Sequence, residues 1–212
     1  VPKESPDFLT TDIPPPLLAR RFYGANIHHP VITTYPDKVL MLFDEITTND
    51  INKFNAIVRQ IHNVNFYNDY GDTPLTYAVS LKRRYIATSL ISSGANPNFK
   101  NKLGLTAVSI AIKMADFEML KLLIESGADI NVKNNFDETY LMQAVRVGYL
   151  PVIDYLASRD IDLEAVNKQN QTAVNIAQMI GNNVVVQILT RYGAKERMVA
   201  KRSIINELDG KW

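Results

Sequence analysis

Cysteine is absent from this chain, which excludes disulfides, thiolate-bound metal and a cysteine nucleophile. No apolar run approaches the roughly 18–20 residues that a membrane-spanning helix needs. An excess of one charge sign is missing too: 23 Lys and Arg face 22 Asp and Glu over 212 residues, a formal charge of +1. A dedicated nucleic-acid binder would carry a strong basic excess, so nucleic acid is not an expected partner. The sequence has no glycine-rich phosphate loop, His-Glu-x-x-His pair, Gly-x-Ser-x-Gly elbow or calcium loop. Its histidines are His28, His29 and His62, and the adjacent pair lacks a matching carboxylate cluster for metal. The expectation is therefore a non-catalytic protein with no cofactor, no metal and no small-molecule substrate. The composition, 46% hydrophobic and 21% charged, is that of a soluble globular protein able to bury a core.

What is present is an internal period. Gly71-Asp72-Thr73-Pro74-Leu75 aligns with Gly104-Leu105-Thr106-Ala107-Val108 at a step of 33 residues. The same step reaches Asp137-Glu138-Thr139-Tyr140-Leu141 and Asn170-Gln171-Thr172-Ala173-Val174. Five residues after each threonine stands Ala78, Ala111, Ala144 or Ala177, and further on comes the column Leu90, Leu123, Leu156, Leu189. Four residues beyond each leucine is Gly94, Gly127, Asp160 or Gly193.

Each column has a physical meaning. The threonines suit helix N-caps, whose hydroxyls accept from free backbone N–H groups of the first turn. Pro74 follows at the first helical position, where its missing N–H is harmless. The alanines suit a close helix crossing. The leucines, with Ile86, Met119, Val152 and Val185 four residues earlier, form the buried stripe of a second helix. Glycine after that helix suits a left-handed C-terminal cap. Asp137, Asp160 and Asn170 replace glycine with the residue types that best tolerate that conformation.

The period, the Thr-Pro-Leu turn and Gly127-Ala128-Asp129-Ile130-Asn131 together resemble the ankyrin repeat. The resemblance covers residues 71–195 and implies a β-turn finger followed by an antiparallel helix pair, stacked into an all-α repeat solenoid. It departs from the family pattern after Thr-Pro-Leu, where the usual histidine is replaced by Thr76, Ser109, Met142 or Asn175.

The expected organisation is a non-repeating arm at 1–35, a solenoid at 36–195 and a C-terminal capping helix at 196–212. Within the solenoid, 38–70 is a degenerate capping repeat, followed by 71–103, 104–136, 137–169 and 170–195. The arm holds Pro2, Pro6, Pro14, Pro15, Pro16 and Pro30, so it reads as extended, yet it is too apolar for a simple disordered tail. The caps are expected because a repeat stack otherwise exposes its flanks. A start at Val1 fits a processed export signal as well as a shortened chain. The expected location is therefore the cytoplasm or, if Val1 is a processed start, the periplasm or exterior.

The resemblance also implies a partner protein met along the concave face, on the finger tips and the ends of the first helices. The tips carry Tyr70, Lys102, Leu103, Asn135, Phe136 and Lys168. Just past each turn stand Asp72, Leu105, Glu138 and Gln171, and the helix ends carry Leu81, Lys113, Met114, Arg146 and Val147. Tyr70, Leu103 and Phe136 form one apolar column, and Leu81, Met114, Val147 and Ile180 a second, for which burial between helices is an equal alternative. Such stripes in normally polar positions mark an interaction surface, and the flanking cations would supply its rim. The expected function is a protein–protein interaction module. The alternative is a structural component of a larger assembly, with arm and flanks buried against other subunits.

Overall fold

The computed structural model describes residues 37–196, and the arm at 1–35 and nearly all of the cap at 196–212 lie outside them. Ten helices and no strands occur among the described residues. They are α1 (Asp37–Thr48), α2 (Ile51–Val58), α3 (Pro74–Ser80), α4 (Arg84–Ser92), α5 (Ala107–Lys113), α6 (Phe117–Glu125), α7 (Tyr140–Val147), α8 (Leu150–Ala157), α9 (Ala173–Ile180) and α10 (Asn183–Arg191). None is long and apolar enough to cross a membrane.

Consecutive helices pair as hairpins, and first helices stack in the order α1, α3, α5, α7, α9. Second helices stack beside them, α2 on α4 and α8 on α10. Each helix is only two or three turns long, too short to persist alone, so its stability comes from burying one face against neighbours. The periodic columns supply that face. Ala78, Ala111 and Ala177 are fully buried, as are all four leucines of the second-helix column. Truncating one such leucine to alanine would cost about 2–5 kcal/mol.

The local signals act as their chemistry demands. Thr73, Thr106, Thr139 and Thr172 each accept from the backbone N–H three residues on, opening α3, α5, α7 and α9. Gly94, Gly127 and Gly193 adopt positive φ, and the next residue's N–H reaches back to the carbonyl of Leu90, Leu123 or Leu189. Asp137 and Asn170 also adopt positive φ, near 59° and 58°.

Asp160 departs from expectation. It does not adopt positive φ, and the Ile161 N–H turns to the Arg159 carbonyl rather than to that of Leu156. A carboxylate-bearing Cβ gains nothing from the left-handed region unless the turn forces it, and here the turn opens instead. At the other junctions a side chain bridges repeats: Asn65 accepts from the Asn96 N–H, Asn98 from that of Asp129, and Glu164 from that of Lys195. The equivalent bond between Asn131 and Asp162 is not formed. A cavity of about 300 Å³ lies at this opened junction, bordered by Ile130, Asn131, Tyr140, Leu156, Ile161 and Ala165.

A second left-handed column was not foreseen. Asn49, Lys82, Ala115, Gly148 and Gly181 recur at the same step, each with positive φ at the turn between paired helices. Lys82 therefore has a backbone role in the basic run Lys82-Arg83-Arg84. Arg83 Nη2 donates to the Thr47 carbonyl at 2.9 Å, and Arg84 approaches Asp116 at 3.9 Å.

At the N-terminal end, Leu42, Phe43 and Ile46 of α1 are buried, with Phe43 packed edge-on against Phe66 and Tyr77. Leu40 and Met41 turn outward. At the opposite end Val174 and Ile176 are buried, whereas Val184 is open to solvent.

Candidate partner-binding surface

The fingers between helix pairs are organised by asparagines at the same step: Asn68, Asn101, Asn134 and Asn167. The Asn101 Oδ1 accepts from the N–H of Leu103 and of Leu105, at 3.0 and 2.9 Å. Asn134 does the same for Phe136 and Glu138, and Asn167 for Gln169 and Gln171. Asn68 holds the Asp72 N–H. One side chain thus satisfies two turn amides that would otherwise be lost to the interior, and Asn101 and Asn167 are themselves buried.

The other end of each asparagine explains the residue four positions on. Asn134 Nδ2 donates to Glu138 Oε2 at 3.1 Å and Asn167 Nδ2 to Gln171 Oε1 at 3.0 Å. Leu105 offers no acceptor, so Asn101 Nδ2 turns to Asp72 of the preceding finger, at 3.0 Å. Neighbouring fingers are also joined directly, by the Lys102 N–H on the Gly71 carbonyl and the Lys168 N–H on the Phe136 carbonyl. Asn135 Nδ2 adds a bond to the Leu103 carbonyl. Adjacent tips are therefore held as one row.

This geometry divides the expected contact residues. Asp72, Leu105 and Glu138, expected as exposed contacts, are instead buried, at 7, 8 and 8% exposure, and bond or pack within the protein. Asp72 serves the asparagine row, and burial pushes its carboxyl above the usual range, offset in part by bonds from Asn101 and Thr76. Leu105 packs into the core. Glu138 Oε1 accepts from Arg146 Nε at 2.7 Å. Gln171 is half-buried against Asn167.

The helix-end column also splits. Leu81 and Met114 are half-buried on the core, while Val147 and Ile180 are exposed. Tyr70 is half-buried; Leu103 and Phe136 are exposed, Phe136 at 61%. Lys102, Asn135, Arg146 and Lys168 reach solvent. Lys102 Nζ lies 6.0 Å over the Tyr67 ring and Lys168 Nζ donates to the Asn135 carbonyl at 2.7 Å. The Lys113 side chain is exposed as a whole, but protein around its ammonium pushes its pKa below the ordinary value, with Glu138 acting in the opposite direction.

Phe136, Glu138, Arg146 and Gln171 come together around a groove of about 560 Å³ between the last two fingers. Gln169, Ile176, Met179 and Ile180 complete its lining. Gln169 and Met179 stand at expected tip and helix-end positions, whereas Ile176 was not among the expected contacts. The signal for Met179 was its place in the column of Lys113 and Arg146, where it replaces a cation by an apolar side chain. Ile176 gave none, because its neighbours in the repeat are ordinary core residues.

Residues 84–167 match the family model for ankyrin repeats, in three copies. No curated protein matches the chain.

Proposed function

We propose that this chain binds a partner protein through the groove between its last two fingers, a reading supported by the match of residues 84–167 to ankyrin repeats, which generally mediate protein–protein contact. The observation that carries the reading is an apolar surface left in water. Phe136, Met179 and Ile180, 61, 62 and 53% exposed, gather around one groove, and none of the other exposed large apolar residues among the described ones lines it. Exposed apolar area concentrated in a polar-rimmed depression is the pattern of an interface anchor. Arg146, held by Glu138, and Gln169 and Gln171 form that rim. The finger row is tied by backbone bonds, so little ordering entropy opposes association.

A photo-reactive residue placed at Phe136 should crosslink the partner in cells. The same residue at Tyr85, which is 75% exposed on the second helix α4, should not. Crosslinking from position 85 with silence at 136 would put the interface on the other side of the solenoid. Phe136→Ala should leave the melting temperature within the spread of surface substitutions, about 0.5 kcal/mol.

A further inference from the structure

We propose that the segment seated in this groove is acidic, with a large apolar side chain entering between Phe136 and Met179; this rests on the groove reading above. Although the whole chain is almost neutral, its charge is sorted by position within the repeat. Across the fingers and first helices of residues 99–115, 131–149 and 165–182 stand Lys100, Lys102, Lys113, Lys133, Arg146 and Lys168, against Asp137 and Glu138 alone. Across the second helices and following loops, residues 116–130 and 150–164 carry eight Asp and Glu against Lys121 and Arg159. Over residues 99–182 a period of 33 thus places cations in the fingers and first helices and carboxylates in the second helices and following loops.

The groove is lined from the cationic stretches. Arg146 lines it, and Lys113 is close enough to feel the Glu138 charge. Lys168 bonds the carbonyl next to Phe136. Of the two carboxylates in these three stretches, Glu138 is buried and bound to Arg146. Among the described residues, Lys168 forms no salt bridge. Its field is therefore available to a partner in the groove, and like charge would be repelled there.

The floor decides between a peptide and a nucleic acid. Met179, Ile180 and Ile176 offer aliphatic surface, which receives a side chain and provides no platform for successive bases. Phe136 is the single exposed aromatic in the lining.

The test uses the full chain and a labelled peptide in which Leu and Phe alternate with Asp and Glu, read by fluorescence anisotropy. An otherwise identical peptide with Asn and Gln in place of the acids is the control. The acidic peptide should bind about tenfold or more tightly than the control at low ionic strength, and lose that advantage as salt screens the cations. Lys113→Glu with Lys168→Glu should remove the preference, and Phe136→Ala with Met179→Ala should weaken both peptides about tenfold. Circular dichroism on each variant establishes that it is folded.

Equal binding of both peptides would overturn the acidic assignment and leave the groove reading standing. Binding of neither also overturns it, and the crosslinking experiment then decides the groove on its own. A thymidine oligonucleotide that binds more tightly than the peptide and ignores Phe136→Ala would make nucleic acid the ligand and overturn it. Self-association that the lysine substitutions abolish would instead seat an acidic stretch of a second copy there, and would overturn a foreign segment.

Discussion

The first two fingers and the last two meet the same backbone demands with opposite residues. At 71 and 104 the finger turns on glycine, and the matching helix ends carry Lys82 and Ala115. At 137 and 170 the finger turns on Asp and Asn, and the helix ends carry Gly148 and Gly181. All eight positions have positive φ. Crowding separates them. A Cβ on Gly71 would meet Lys102 Cβ at 2.6 Å, and one on Gly104 would meet the Asn135 amide at 2.4 Å, whereas nothing lies within 4 Å of a Cβ on Gly148 or Gly181. Glycine in the early fingers makes room; glycine at the late helix ends only relieves the dihedral. The late half also keeps its helix-end side chains open, and that is where the groove forms.

The largest effect expected is at the asparagine row. Asn101→Ala would strip two turn amides of their acceptor and remove one of the two side-chain donors to Asp72. At 1–3 kcal/mol for each orphaned group, the loss should be about 3 kcal/mol or more. Asn167→Ala also orphans two amides, but its Nδ2 bond stays inside one finger. A double-mutant cycle with Asp72→Ala should therefore show coupling to Asn101 and none to Asn167, read from denaturant unfolding.

Glycine tests the crowding contrast. Gly71→Ala combines a dihedral penalty of about 1–2 kcal/mol with overlap worth about 1–3 kcal/mol, so unfolding should show a loss of about 2–5 kcal/mol. Gly148→Ala carries the dihedral penalty alone, about 1 kcal/mol. Equal losses would mean that Lys102 gives way and the early turns are not crowded.

A third contrast appears at high pH. Tyr140 opens α7, where the other repeats have Pro74, Ala107 and Ala173, and its hydroxyl meets Thr106 Oγ1 at 2.6 Å. Burial pushes its pKa up to about 12, with the Thr106 bond acting in the opposite direction. The folded state keeps a proton that the unfolded chain gives up near pH 10. Stability from this group is thus complete below about pH 10 and falls as pH rises toward about 12. Tyr140→Phe should cost about 1 kcal/mol at neutral pH, the worth of one hydrogen bond, and flatten that alkaline slope. The smallest effect is a gain. Ala115→Gly removes a strained methyl at φ 49° and should raise stability by about 0.5–1 kcal/mol in thermal melts, making the early helix end like the late ones.

The repeat architecture was legible because its signals are local. A threonine caps whatever helix follows it, and a leucine every 33 residues needs only a neighbour of the same kind. The candidate groove was legible in part. Phe136 and Arg146 could be placed by counting, but Asp72 and Glu138 looked like solvent-facing tips until Asn101, Asn134 and Arg146 were seen to take them inward. The asparagine column stood in plain view at the same step, yet its meaning lay in bonds to amides, which residue type alone does not reveal.

By itself, then, the sequence determined the period, the caps, the buried stripes and the all-α solenoid. These depend on short-range backbone chemistry and on apolar spacing, both written along the chain. Only the tertiary structure decided which tip residues stay in water, where Asp160 lets the stack open, and which two fingers enclose a groove. Those outcomes depend on what each side chain meets across a repeat boundary. That meeting is set by packing between segments about 33 residues apart, where one missing acceptor, as at Leu105, redirects a bond to the neighbouring finger.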